Sequence, residues 1–363
     1  MKDWTLGPFV RENGGAPILG PRDAPLWTCP VRGEPVAWEA KDVFNPAAIV
    51  RDGLVHLIYR AEDRVGRFAG TSRLGLAVSE DGISFSREPA PVLYPDRDAH
   101  QAQEWEGGCE DPRVVELPDK TYLLTYTAYD GRVARLMVAT SPDLRSWTKH
   151  GLAFRGHELG GRWTKSGAIV VRPHEGRFVA ATIRGEYWMV FGESDLYVAS
   201  SPDGLVWTPH ARDEMHDRWI EHPDDGRWIH HETRSDARIA PVLSRRLHGF
   251  DSVLVEPGPP PILTDEGIVV LYNAKAAADA RHPIVPNGYH GGQALLDPDD
   301  PTHVIGRTRA PFFFPSLRHE TEGQVPAVTF LEGLARHRGR LLLYYGTADS
   351  AIGVASAPDP FSP

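Results

Sequence analysis

Cysteine is nearly absent from this chain: Cys29 and Cys109 are the only two in 363 residues, too few for a disulfide framework. Cys109 adjoins an acidic motif, but a small buried thiol is the expectation there rather than a reactive one. No apolar run approaches the length of a transmembrane helix. Met1-Lys2-Asp3-Trp4 leads into no secretory apolar core, so a cytoplasmic protein without membrane association is expected. Positive charge is in deficit: 39 Lys and Arg against 49 Asp and Glu leave a formal charge of −10. That balance argues against nucleic acid as a partner, because phosphates demand basic surface. The 16 histidines, His230-His231 among them, are scattered without metal-ligand spacing, so neither metal nor cofactor is expected. Helical periodicity is almost missing too.

What the chain has instead is turns and a repeat. Its 35 glycines and 32 prolines suit a turn-dense all-β chain. A phrase of the form Val-Ala-Ser-Ser-Pro-Asp-Gly returns five times, with its alanines at 77, 139, 199, 294 and 355. Three copies are short apolar strands ending in Ser-x-Asp-Gly or Ser-Pro-Asp turn chemistry; the fourth is degraded to Leu-Asp-Pro-Asp and the fifth ends Ser-Ala-Pro-Asp. A strand rich in Tyr and branched residues stands ahead of each, as in Tyr122-Leu123-Leu124-Thr125-Tyr126 and Phe178-Val179-Ala180-Ala181. Roughly four strands per repeat, five times over, predict a single five-bladed β-propeller spanning 1–363. The N-terminal segment is expected to complete the last blade. The long fourth interval reads as an insertion at about 211–251; Trp219, Trp228, His230 and His231 within it fit a ligand-binding roof over the site and a plain surface loop equally.

In a propeller the first strand of each blade lines the central channel, so polar residues there converge. The blade openings read Phe44-Asn45-Pro46, Glu110-Asp111-Pro112-Arg113, Lys165-Ser166-Gly167, Glu256-Pro257-Gly258 and Leu331-Glu332-Gly333. Second strands end in Arg60, Asp63, Asp130, Arg184, Asn273 and Asp349. Charge set in apolar strands is costly unless paired or functional. Carboxylates and arginines from several blades facing one funnel suit glycoside chemistry, which needs one protonated and one ionised carboxyl group. The competing structural reading is that pairs such as Asp111 and Arg113 only tie neighbouring blades together.

Glu110-Asp111-Pro112-Arg113 with Tyr126-Thr127-Ala128-Tyr129-Asp130-Gly131, then Glu256-Pro257-Gly258-Pro259-Pro260 and Tyr344-Tyr345-Gly346-Thr347-Ala348-Asp349, resembles glycoside hydrolase family 130 along effectively the whole chain. The resemblance implies five-bladed propellers and inverting action on β-mannosides, by phosphate in phosphorylases and by water in hydrolases. It implies Asp111 as general acid. Ile183-Arg184-Gly185 lacks the histidine of the phosphorylase pattern. Tyr187-Trp188-Met189 through Gly192-Glu193-Ser194 is similar to the β-1,2-mannosidase-like members, which makes Glu193 and Glu256 the pair serving water. Asn45, Arg60, Asp63, Arg73, Arg113, Asp130, Lys165, Arg184, Asn273 and Asp349 are then the expected sugar-binding groups.

The expected partner is an oligosaccharide. Inorganic phosphate enters as co-substrate only if the enzyme is a phosphorylase, and Arg184 and Lys165 are the two cations able to meet it. An arabinanase-like glycosidase and a non-catalytic glycan-binding propeller are the other readings. Pairing of copies through edge strands is open.

Overall fold

The computed structural model describes residues 4–68, 70–210, 219–221, 228–230, 239, 241–281 and 284–362. It is mostly β. Among the described residues the α-helices are two single turns, Gln101–Glu104 and Arg318–Thr321.

Five antiparallel meanders follow one another. The first is Asp42–Arg51, Leu54–Glu62, Ser72–Ser79 and Ser86–Arg87. The second is Gly108–Glu116, Tyr122–Tyr129, Ala134–Ser141 and Thr148–Leu152. The third is Ala168–Ile169, Glu186–Phe191, Asp195–Ser201 and Thr208–Pro209. The fourth opens with Leu254–Pro257 and continues through Ile268–Lys275, Tyr289–Leu296 and Val304–Arg307. The fifth contributes Thr329–His337, Arg340–Thr347 and Ala351–Pro358, and its fourth strand is Val10–Arg11 from the N-terminal segment, pairing Val10 with Ser356 and Arg11 with Ala355.

The repeated phrase lies on every third strand, and its turn chemistry recurs in detail. Ser79, Ser141 and Ser201 each accept from a backbone N–H three residues on, at 2.8 Å in all three cases. Asp81, Asp143 and Asp203 then accept from the next two backbone amides. These turns all lie at one end of the meanders. The starts of the first strands and the loops between second and third strands lie at the other.

Cores form between neighbouring sheets, because each sheet has two faces to cover. Ala47, Ile58 and Leu76 of the first meander pack on Val114, Tyr122 and Tyr126 of the second. Val190 and Val198 of the third meet Val255 and Val270 of the fourth. Leu57 and Tyr59 meet Leu342 and Tyr344 of the fifth, which returns the fifth meander to the first. Where first strands approach, side chains are excluded: a Cβ on Gly333 would lie 2.6 Å from the Pro46 carbonyl oxygen.

The third meander departs from the expected pattern. Phe178-Val179-Ala180-Ala181 is not its second strand. Val171–His174 and Arg177–Ala180 form an extra hairpin inserted between first and second strands, and Val171 pairs with Ile262 of the fourth meander. The segment has strand composition and its turn, Glu175 and Gly176 at positive φ, matches Asp52-Gly53 and Arg338-Gly339 between first and second strands elsewhere, so its sequence looks like an ordinary second strand. Of the expected 211–251 insertion, only the short antiparallel strands Trp219–Glu221 and Trp228–His230, Ile239 and residues 241–251 are described. The rest, with His231 and the side chains of Trp219, Trp228 and His230, lies outside the described residues.

Candidate active site

The site is built by irregularities at the starts of the first strands. Pairing slips between Phe44 and Pro46, between Glu110 and Arg113, and between Leu331 and Gly333. Each slip is a bulge that takes one side chain out of the strand's alternation: Asn45, Asp111 and Glu332 respectively. Asn45 and Asp111 adopt left-handed backbone, φ 46° and 44°, which Asn and Asp tolerate better than other side chains. Ser166, at φ 59°, plays the same part ahead of the third meander. Backbone strain gathered at one end of several strands marks a functional site.

Asp111 is the hub. Its Oδ1 accepts from Asn45 Nδ2 at 2.9 Å and from Arg60 Nη1 at 3.1 Å, and Lys165 Nζ stands 3.3 Å from Oδ2. Lys165 Nζ is also 3.3 Å from Glu256 Oε1, so one ammonium bridges carboxylates of the second and fourth meanders. Ser166 donates to the same Glu256 oxygen. Arg60 extends the network to Glu62 Oε1 at 2.8 Å and Glu110 Oε1 at 3.0 Å, with its guanidinium over the Phe44 ring. Asn45 Oδ1 is buried against Gly346 and receives no donor from the described residues.

Glu193 lies in the loop between second and third strands of the third meander and accepts from Trp163 Nε1 at 2.9 Å. Its charge acts on Glu256, Lys165 and Tyr289, which sets it in the neighbourhood of the Lys165–Glu256 pair.

Beneath them is Arg113, which is 1% exposed. It donates to the backbone carbonyls of Asp111 at 3.2 Å, Pro257 at 2.7 Å and Gly258 at 3.2 Å, and faces Glu332 Oε1 at 3.3 Å. Arg113 was expected to hold sugar. Its guanidinium is instead spent on the frame, because a fully buried cation needs carbonyls and a counter-ion around it. In doing so it joins the backbones that carry Asp111 and Glu256.

Other expected contacts are engaged elsewhere. Asp63 and Arg73 form a buried pair at 2.7 Å; Asp63 also accepts three backbone amides of its own loop, and Arg73 lies over Trp27. Asp130 caps its loop through Arg132 and Val133 amides and pairs with Arg135 at 2.7 Å. Asn273 bonds Leu331 N and O, stitching the fourth meander to the fifth. Arg184 is exposed in the turn after Thr182–Ile183, where its charge acts on Asp300 at the far end of the meanders. The extra hairpin moved it there. The sequence reading gave no role to Glu110, Glu62, Glu332, Trp163 or Tyr289.

The electrostatics divide the carboxyls. Burial pushes Asp111 up, but Lys165, Arg60 and Asn45 outweigh it and hold the group well below the usual carboxylate range. Burial, with the neighbouring Asp111 charge, carries Glu110 and Asp349 up to about 7 each. Burial raises Glu256 against the pull of Lys165 and raises Glu332 well above the ordinary value. Burial also pushes the Cys109 thiol far up, which makes it inert. The free site therefore holds an ionised Asp111 beside Glu110 and Asp349, which keep protons up to about 7, a division of labour that acid–base chemistry uses.

Residues 31–360 match the model of glycoside hydrolase family 130, described as beta-1,4-mannooligosaccharide phosphorylase. The 1,2-beta-oligomannan phosphorylase of Thermoanaerobacter sp. (strain X514) is 33% identical over 328 residues, covering 88% of this chain and 90% of the relative. A glycosyl hydrolase from Bacteroides ovatus superposes with a TM-score of 0.88 at 39% identity, over 100% of this chain and 97% of the other. A further structure has a TM-score of 0.88 at 40% identity, over 99% of this chain and 98% of the other. It comes from work on glycoside hydrolases within this family of mannoside phosphorylases that target beta-1,2 mannosidic linkages in Candida mannan.

Proposed function

Because the chain belongs to glycoside hydrolase family 130, we propose that its five meanders form a five-bladed β-propeller whose carboxylate cluster hydrolyses β-mannosides with inversion, β-1,2-linked manno-oligosaccharides in particular. One observation carries the choice of water over phosphate. The cations of the cluster already face carboxylates: Lys165 meets Asp111 and Glu256, Arg60 meets Glu62, Glu110 and Asp111, and Arg113 meets Glu332. An entering phosphate would meet Glu256 and Glu193 as well as Lys165, and like charges repel it. The two relatives of 39% and 40% identity support the same side.

In this mechanism Asn45, Arg60 and Asp349 hold the sugar to be released. Its hydroxyls draw Lys165 from Asp111, whose carboxylate then takes the proton kept by Glu110. Asp111 passes that proton toward the glycosidic oxygen as the bond to the anomeric carbon breaks. Glu256, assisted by Glu193, removes a proton from the attacking water. Asp111→Asn and Glu256→Gln are each expected to lower kcat on β-1,2-mannobiose by about a hundred- to ten-thousand-fold. Unchanged turnover in both variants would refute the assignment. A phosphorylase is the second reading, favoured by the activity named for the Thermoanaerobacter relative.

A further inference from the structure

Three aromatic rings from three successive parts of the chain meet at the mouth of the site. Phe68 comes from the loop between second and third strands of the first meander, Tyr129 ends the second strand of the second, and Trp163 precedes the third. The Phe68 and Tyr129 centroids are 6.4 Å apart, and those of Tyr129 and Trp163 are 6.2 Å apart. Phe68 is 38% exposed and Trp163 53%, large apolar areas for residues that are not at a sheet edge. The Phe68 and Tyr129 rings are held in place rather than loose. Phe68 lies on Gly131, where a Cβ would come within 2.2 Å of the ring, and Tyr129 lies on Gly107. Polar groups flank them: Arg67 stands over Phe68 at 5.7 Å, and Glu106 accepts from the Arg67 amide at 3.3 Å.

The other end of the site is closed. Arg113, Glu332 and the Pro257 and Gly258 carbonyls fill its base, and Ala48, Val114 and Leu334 from the first strands line a small cavity elsewhere along those strands. A sugar chain bound against Asp111 and Asp349 extends toward the open end, where the aromatic cluster stands beside Glu193. Apolar ring faces beside charged groups are the surface that sugar rings take: C–H faces stack while hydroxyls reach the polar flank.

We propose that Phe68, Tyr129 and Trp163 form a platform for the mannosyl residues on the leaving-group side of the cleaved bond, and that Trp163, through its 2.9 Å bond to Glu193, couples this platform to the water-activating carboxylate. The proposal rests on the mannoside reading of the same site. It makes the two rings separable. Phe68 touches no catalytic group, so it acts on binding alone; Trp163 acts on binding by its ring and on turnover by its N–H.

The test compares wild type, Phe68→Ala and Trp163→Phe on β-1,2-mannobiose and β-1,2-mannotriose, with tryptophan fluorescence titrated against each sugar and thermal melts as a check on folding. Phe68→Ala should raise KM about three- to tenfold, the effect of one lost ring contact, with kcat within about twofold. Trp163→Phe should keep KM near wild type and lower kcat. Wild-type turnover with both variants behaving like wild type overturns the platform and leaves the mannoside reading standing. A drop in kcat for Phe68→Ala with KM unchanged also overturns it, since that is the mark of a structural role. A wild type that neither cleaves nor binds either sugar overturns the platform together with the mannoside reading.

Discussion

Asp111 and Glu110 are neighbours in sequence with opposite fates. Asp111 is turned inward by its bulge onto Lys165, Arg60 and Asn45, and so stays ionised. Glu110 has Arg60 as its ion-pair partner and Asp111 as a competing charge, and it keeps a proton up to about 7. Two consequences can be measured. Activity should fall on the alkaline side of about 7 as Glu110 and Asp349 empty, and Glu110→Gln should move that limb of the kcat/KM profile. A profile unchanged in the variant would show that Glu110 supplies no proton. Stability follows the same group with a definite sign. The folded protein binds a proton at Glu110 that the unfolded chain releases near 4.5, so this contribution is present at low pH and is lost as pH rises to about 7. Wild type should therefore lose stability relative to Glu110→Gln between about pH 4.5 and 7. The difference between the two melts carries the signal, because His290, lowered to about 4 by burial, pulls the wild-type curve the other way.

At the scale of elements, the meanders share a packing device. Tyr59, Tyr272 and Tyr345 of second strands stand opposite Gly75, Gly292 and Gly353 of third strands. A Cβ at those glycines would come within 2.4, 2.3 and 2.5 Å of the tyrosine rings. Tyr272 has no room to yield, since its hydroxyl is bonded to Asp251 and Arg307. Gly292→Ala should destabilise the protein by about 1–3 kcal/mol through overpacking, read as a shift in the denaturation midpoint. Elements were also where sequence reading worked unevenly. The openings Asn45, Asp111, Lys165 and Glu256 were legible because a polar residue in an apolar first strand has few structural uses. Strand-end polar groups were not: Asp63, Asp130 and Asn273 serve their own loops and neighbouring strands, a use that composition does not separate from sugar binding. Glu332 carried the same signal as Asp111, a charge inside Phe-Leu-Glu-Gly, and its bulge register places it beside Arg113. Phe68 and Trp163 lie on loops, where no periodic pattern singles out a side chain.

Across the whole molecule, the repeat led to five meanders, and the N-terminal strand does complete the fifth. Its anchor is Arg11, whose guanidinium grips Glu320 at 2.6 and 2.8 Å while Tyr345 donates to the same carboxylate at 3.0 Å. Glu320 is fully buried and held below its ordinary range despite burial, by the Arg11 and backbone bonds. Arg11→Ala should cost about 2 kcal/mol, the worth of hydrogen bonds to a charged partner, measurable by chemical denaturation. What the repeat did not reveal is the extra hairpin in the third meander, because its strands have the same composition as those it precedes. The central claim concerns what attacks the anomeric carbon in a site where carboxylates surround the lysine. The most direct measurement incubates the enzyme with β-1,2-mannobiose, with and without inorganic phosphate, and follows the products by proton NMR. The account predicts mannose alone, at the same rate in both samples, with its α anomer appearing first; α-mannose 1-phosphate and a requirement for phosphate would contradict it.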